Sequence, residues 1–178
     1  MRPIPLAMLV VAPITLISAL RYWPPQEFVI RPERLEKSMP ILPITNASPV
    51  LRTDFSDQPT WEAIRGEIQQ PSAEGFEAHV EIIDDRAFEG ISKEQLLAAL
   101  PRDYPHTFMI VVDHRAISQS DHSLLVINLF DGDGPEVGEE FRTLPSEIQG
   151  IENNLSIANM GFEEFAGAVD ADGVFRGF

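Results

Sequence analysis

The sequence predicts one compact α/β domain, Rossmann-like, with a partly parallel sheet, antiparallel edge strands and about three helices. Three observations carry that expectation. Short apolar segments alternate with segments whose apolar residues recur at helical spacing, an order that right-handed crossovers convert into a parallel sheet centre. Two apolar runs, Thr107 to Val112 and Leu124 to Leu129, are continuous rather than alternating, as strands covered on both faces are. At 178 residues, 44% hydrophobic and 23% charged, the chain can fill one core of useful size.

The elements follow in order. Pro49 to Thr53 reads as a short strand, and Asp54-Phe-Ser-Asp57 as a cap cluster with Pro59 in the first helical turn. Trp61, Ile64 and Ile68 then fall on one helical face. Phe76, Ala78, Val80 and Ile82 alternate as a second strand that ends at Asp84-Asp85. Ser92-Lys-Glu-Gln95 fits a capping box, with Leu96, Leu97 and Leu100 turned inward until Pro101 stops the helix. The two apolar runs follow, and a Gly/Asp-rich turn from Asp131 to Gly138 leads to a strand near Glu140 to Leu144. Ile148 to Ile157 reads as strand or irregular, and Gly161 to Val169 as a short helix burying Phe162, Phe165, Ala166 and Val169.

The last 38 residues, Phe141 to Phe178, interleave Asn153, Asn154, Ser156 and Asn159 with Ile151, Leu155, Ile157 and Met160. Amides in such company need backbone partners, so the segment is expected to be ordered and docked rather than frayed. Three blocks carry a resemblance: RTDFSD…W at Arg52 to Trp61, DD..F.G at Asp84 to Gly90, and PSEIQGIENNLSIANM.FEEFA..VDADGVFRGF at the carboxy terminus. Together they resemble an uncharacterised domain-of-unknown-function family of bacteria and filamentous fungi, over about Met39 to Phe178. The resemblance implies a compact α/β domain and supplies no activity or catalytic residues.

Residues 1–23 form a hydrophobic amino-terminal segment, with 18 uncharged positions from Pro3 to Leu20 between Arg2 and Arg21. That pattern suits a signal peptide, and Tyr22 and Trp23 suit the interface of an uncleaved anchor. The lack of any acid before Glu27 leaves an organelle-import signal open, and Met39 is an alternative start that would make residues 1–38 an extension. Secretion or membrane anchoring follows from the first readings and a cytoplasmic address from the last. Membrane contact is expected only through residues 3–23. Residues 24–48 read as linker and 49–178 as the acidic α/β domain.

Charge divides at the same place. Residues 1–38 hold five basic residues against three acids, a net of +2, so with −15 overall the remaining residues carry −17. A surface that acidic repels phosphate backbones, which excludes nucleic acid as the expected partner. It serves solubility or attracts a basic protein partner. With no Cys, there is no thiolate nucleophile, disulfide framework or cysteine metal site.

In open α/β sheets, ligands bind outside the carboxyl ends of the parallel strands. Those ends carry Asp54, Asp84, Asp85, Asp113 and His114, the candidate catalytic residues. Asp54, Asp84 and Asp85 are the candidate metal ligands, with a divalent cation as the ion such oxygens would take. Mutual repulsion would otherwise raise one carboxyl pKa and make a general acid, and neutralising Asp84 and Asp85 would relieve it. The plain alternative is that these aspartates cap helices and turns. Asp131-Gly-Asp133-Gly begins like a calcium loop but fails at Pro135, Glu136 and Arg142, so a hairpin turn is expected. The spacing of His106, His114 and His122 fits no zinc motif, His79 falls on the polar face of a strand, and no glycine loop cradles a phosphate. No cofactor is identified beyond that divalent cation, and the sequence leaves any small-molecule ligand unknown. Two functions therefore stand: a noncatalytic binding or protein-interaction domain, and a small enzyme or metal-dependent ligand binder working from the acidic rim.

Overall fold

The structure, a computed structural model, describes residues 40–178. The expectations for the hydrophobic segment, the alternative start and most of the linker lie outside the described residues. In chain order the elements are β1 (Ser48–Arg52), α1 (Gln58–Ile68), β2 (Val80–Ile83), α2 (Lys93–Ala98), β3 (Phe108–Val112), α3 (His114–Ser118), β4 (Leu124–Asn128), β5 (Glu140–Thr143), α4 (Ile148–Ser156), α5 (Phe162–Gly167) and β6 (Val174–Phe175). Tight 3-10 turns at Arg86–Phe88 and Pro145–Glu147 join them.

The described strands make one mixed sheet in the order β2-β1-β3-β4-β5-β6. β1 pairs in parallel with both β2 and β3, β4 runs antiparallel to its two neighbours, and β6 is parallel to β5. The 2-1-3 start is that of doubly wound folds, and its reversal of direction puts α1 and α2 on opposite faces. Accordingly Trp61, Ile64 and Ile68 of α1 pack with Val50, Ile110, Val126, Ile148 and Phe165 on one face. Leu96 of α2 packs with Leu51, Met109, Val111 and Ile127 on the other. β3 and β4 are buried at every position, as their uninterrupted apolar runs require.

The helices begin where the caps were read. Asp57 accepts from the Thr60 amide and Pro59 occupies the first turn of α1. Ser92 and Gln95 form the reciprocal capping box of α2. Two stretches differ from their pattern. β2 starts at Val80 rather than Phe76, because Ser72 and Phe76 close a turn on each other through Gly75, at φ 84°, and Phe76 stays exposed. Ile148 to Ser156 is helical: Pro145 starts the preceding turn, Ile148 and Ile151 share the buried face, and Asn154 donates to the Gly150 carbonyl. The carboxy-terminal block is docked as expected, with Val174 and Phe175 buried in the edge strand β6.

The stretch 42–48, assigned to the linker by composition, packs on the domain. Leu42 is buried with its amide bonded to the Ala99 carbonyl, and the Thr45 hydroxyl contacts His106 Nε2 at 2.8 Å. Tyr104 lies beside these groups, its ring edge-on to His106. Burial pushes the Tyr104 phenol up, Thr45 draws it part of the way back, and the Glu81 charge adds a smaller rise, to about 12 against an ordinary 10.0. The phenol raised in the folded state contributes stability that is complete below pH 10 and is lost as pH rises toward 12. Melting temperatures taken through that window should therefore fall further for the parent than for Tyr104→Phe. Parallel curves for the two would remove the phenol from the account.

Candidate functional site

Because β1, β2, β3, β5 and β6 run one way and β4 the other, the carboxyl ends of the first five share one rim with the start of β4. Asp54, Asp84, Asp85, Asp113 and His114 all lie on it, as the topology rule requires. Each carboxylate there is already engaged by a donor from the chain.

Asp84 stands between two donors from the first strand–helix unit. Arg52 Nη1 reaches its Oδ1 at 3.3 Å and Trp61 Nε1 donates to its Oδ2 at 3.2 Å. The Arg52 side chain is 2% exposed and Asp84 35%. Arg52 also donates to the Asp54 carbonyl and to Gln58, and its guanidinium lies 4.2 Å from the Phe55 ring centroid and 5.0 Å from that of Trp61. This is a buried cation held by rings and one carboxylate. Asp85 accepts from the Ala87 amide and caps the 3-10 turn. Asp113 caps α3 through the Ala116 amide and receives both Nη atoms of Arg142, which also donates to the Ser123 carbonyl. The rim is a set of caps and ion pairs.

Asp54 differs in one respect. Its Oδ1 accepts from the Ser56 amide and hydroxyl, while its Oδ2 lies 2.7 Å from His114 Nδ1. Burial pushes the Asp54 carboxyl up, but the Ser56 bonds and His114 outweigh it, and the net shift is downward. That is opposite to the rise expected of crowded carboxylates, because the groups that act on Asp54 are the Ser56 and His114 donors. His114 itself is 80% exposed. Among the described residues no three His, Asp or Glu side chains converge as a metal-holding group.

The model of a family described as a domain of unknown function (DUF6924) matches residues 47–178. The chain belongs to this family. Comparison with the curated proteins finds no match. The DUF6924 match opens one residue before β1, so it takes in the whole sheet, the rim and the clefts beside it.

Hollows flank the sheet of the DUF6924 domain at both ends. Near the rim, a cleft of about 390 Å³ has Val111, Leu125 and Ile127 on its floor, with Lys93, Glu140 and Arg142 on its walls. Its cations are spent: Lys93 Nζ is 2.7 Å from Glu140 and bonds the Gly138 carbonyl, and Arg142 holds Asp113. At the far end, where β3 starts and β4 stops, a hollow of about 230 Å³ opens among Phe108, Phe130, Leu155, Met160 and Phe162. Sequence reasoning gave no role to Arg52, Arg142 or this hollow. Both arginines find their acids 32 and 29 positions away, pairings that no local motif announces. Glu152 was missed for the same reason: it is buried, and it accepts from Ser48, Ser156 and the His79 amide to tie α4 to β1 and β2.

Proposed function

We propose that this DUF6924 chain is a noncatalytic binding domain whose partner is another protein. One observation carries the reading: the rim acids that would do chemistry are occupied as helix caps and as counter-ions of Arg52 and Arg142. Carboxylates bonded in this way spend part of their acceptor capacity on the chain's own donors, and Asp84 and Asp113 have their charge balanced by an arginine. The acidic balance of the domain argues for a protein partner over nucleic acid.

The melting temperature in millimolar Mg²⁺ or Ca²⁺ should match that in Na⁺ of equal ionic strength, because a ligand raises stability only if the folded state holds it. A rise specific to the divalent ion, abolished by Asp84→Asn with Asp85→Asn, would overturn the proposal in favour of a metal-dependent site.

A second reading, a small enzyme, is favoured by the Asp54–His114 contact alone. A carboxylate fixed by Ser56 orients an imidazole whose other nitrogen is free to face solvent, as a general base needs. No nucleophile stands beside it, since the Ser56 hydroxyl is given to Asp54. Turnover of any substrate that His114→Ala abolishes would put this reading first.

A further inference from the structure

We infer that the hollow at the far end of the sheet is an anchor site for a lysine or arginine side chain of a basic partner segment. The inference rests on the binding reading and names its site. The walls are apolar and aromatic: Phe108, Phe130, Leu155, Met160 and Phe162. Its charged lining groups are both acids, Asp133 on the β4–β5 connection and Glu163 at the start of α5. No Lys, Arg or His lines it. Neither Asp133 nor Glu163 is bonded to a cation among the described residues, in contrast to Asp84 and Asp113 of the rim, each of which faces an arginine.

The local backbone sets these groups in place. Asn128, buried at the end of β4, donates to the carbonyls of Phe130, Pro135 and Glu136 and so fixes the loop that carries Phe130 and Asp133. The Phe130 ring lies where a side chain at position 132 would project, so a larger residue at Gly132 would displace the ring. Gly161 plays the same part opposite. A Cβ there would meet Glu163 Oε1 at 2.5 Å, because the Glu163 carboxylate lies over the glycine.

Size and charge select the occupant. Sites for drug-sized molecules start at about 300 Å³, so about 230 Å³ suits one long side chain. Two uncompensated carboxylates exclude an anion and leave a neutral group little advantage. A lysine or arginine lays its methylene stem along apolar walls and keeps its charged head at the acids. Aromatic faces add attraction for that head. The domain's net charge of −17 beyond residue 38 draws a basic segment toward it.

The probes are the blocked tripeptides Gly-Lys-Gly, Gly-Arg-Gly and Gly-norleucine-Gly, the last a neutral stem of similar length, titrated into the full chain. Amide resonances of Phe130, Asp133, Gly161 and Glu163 are followed by NMR. The lysine or arginine peptide should shift them saturably, and norleucine should bind about fivefold more weakly or not at all. Asp133→Asn with Glu163→Gln, both exposed, should remove that preference with the melting temperature unchanged, and each single variant should remove part of it. Equal binding by norleucine would mean an apolar hollow with no cation selectivity and would overturn the inference. So would shifts scattered over the acidic surface, or preference surviving in the double variant. n-Butylammonium saturating the site while neither cationic peptide does would make it a small-amine pocket, again against the inference. The divalent-ion melts read the rim, so failure here and failure of the binding reading are separate results.

Discussion

Phe165→Ala should lower the unfolding free energy by about 3–5 kcal/mol. Phe165 is buried at the meeting point of the carboxy-terminal aromatic cluster. Its ring stacks on Phe141 of β5 at 6.2 Å, meets Phe175 of β6 edge-on at 5.4 Å, and contacts Phe178 at 5.6 Å. Removing the ring deletes its own burial and the packing of three others. It also loosens α5 from the edge strand that closes the sheet. The melting temperature should fall by on the order of 10 °C in a domain of this size. A fall of roughly one degree would mean that the last block rests on the fold without supporting it.

Asp84→Asn should cost about 2–3 kcal/mol, below the usual range for a broken buried pair because Asp84 is only partly shielded. Asparagine keeps the shape and an acceptor for Trp61, so the change isolates the charge. What it leaves is Arg52, a fully buried guanidinium with rings for company and no counter-ion. The sign is opposite to the one expected from a crowded acidic rim, where neutralising Asp84 relieves repulsion. Asp85→Asn is the control: it weakens one turn cap, and its effect should be about 1 kcal/mol or less. Denaturant unfolding of the two variants checks both. Equal effects would show that Arg52 does not depend on Asp84.

Much of this fold is legible in local chemistry. The capping box at Ser92, the Asp57–Pro59 start of α1 and the apolar runs of β3 and β4 are signals within a few residues of the structure they specify. The docked carboxy terminus follows from Phe162, Phe165 and the interleaved amides. What local reading lacks is the partner across the sheet. Arg52 ends β1 and Asp84 follows the neighbouring β2, and Asp113 and Arg142 meet across β4, so the rim reads as a cluster of acids until topology supplies the cations. α4 reads in the sequence as strand or irregular because Gly150, Asn153 and Asn154 dilute its helical signal, and the buried contacts of Ile148 and Ile151 make it a helix instead. The hollow beneath Phe130 depends on loops folding toward each other, which no periodicity encodes.

The most direct test of a structural rim is the unfolding free energy, without divalent ions, of Asp54→Asn, Asp84→Asn, Asp85→Asn and Asp113→Asn taken singly. Acids that serve as caps and counter-ions make every variant less stable than the parent, with Asp84→Asn and Asp113→Asn, each facing an arginine, affected most. Acids crowded together for catalysis or for an ion gain stability when one is neutralised. Parent-like or raised stability in Asp84→Asn and Asp113→Asn would therefore contradict the structural reading of the rim.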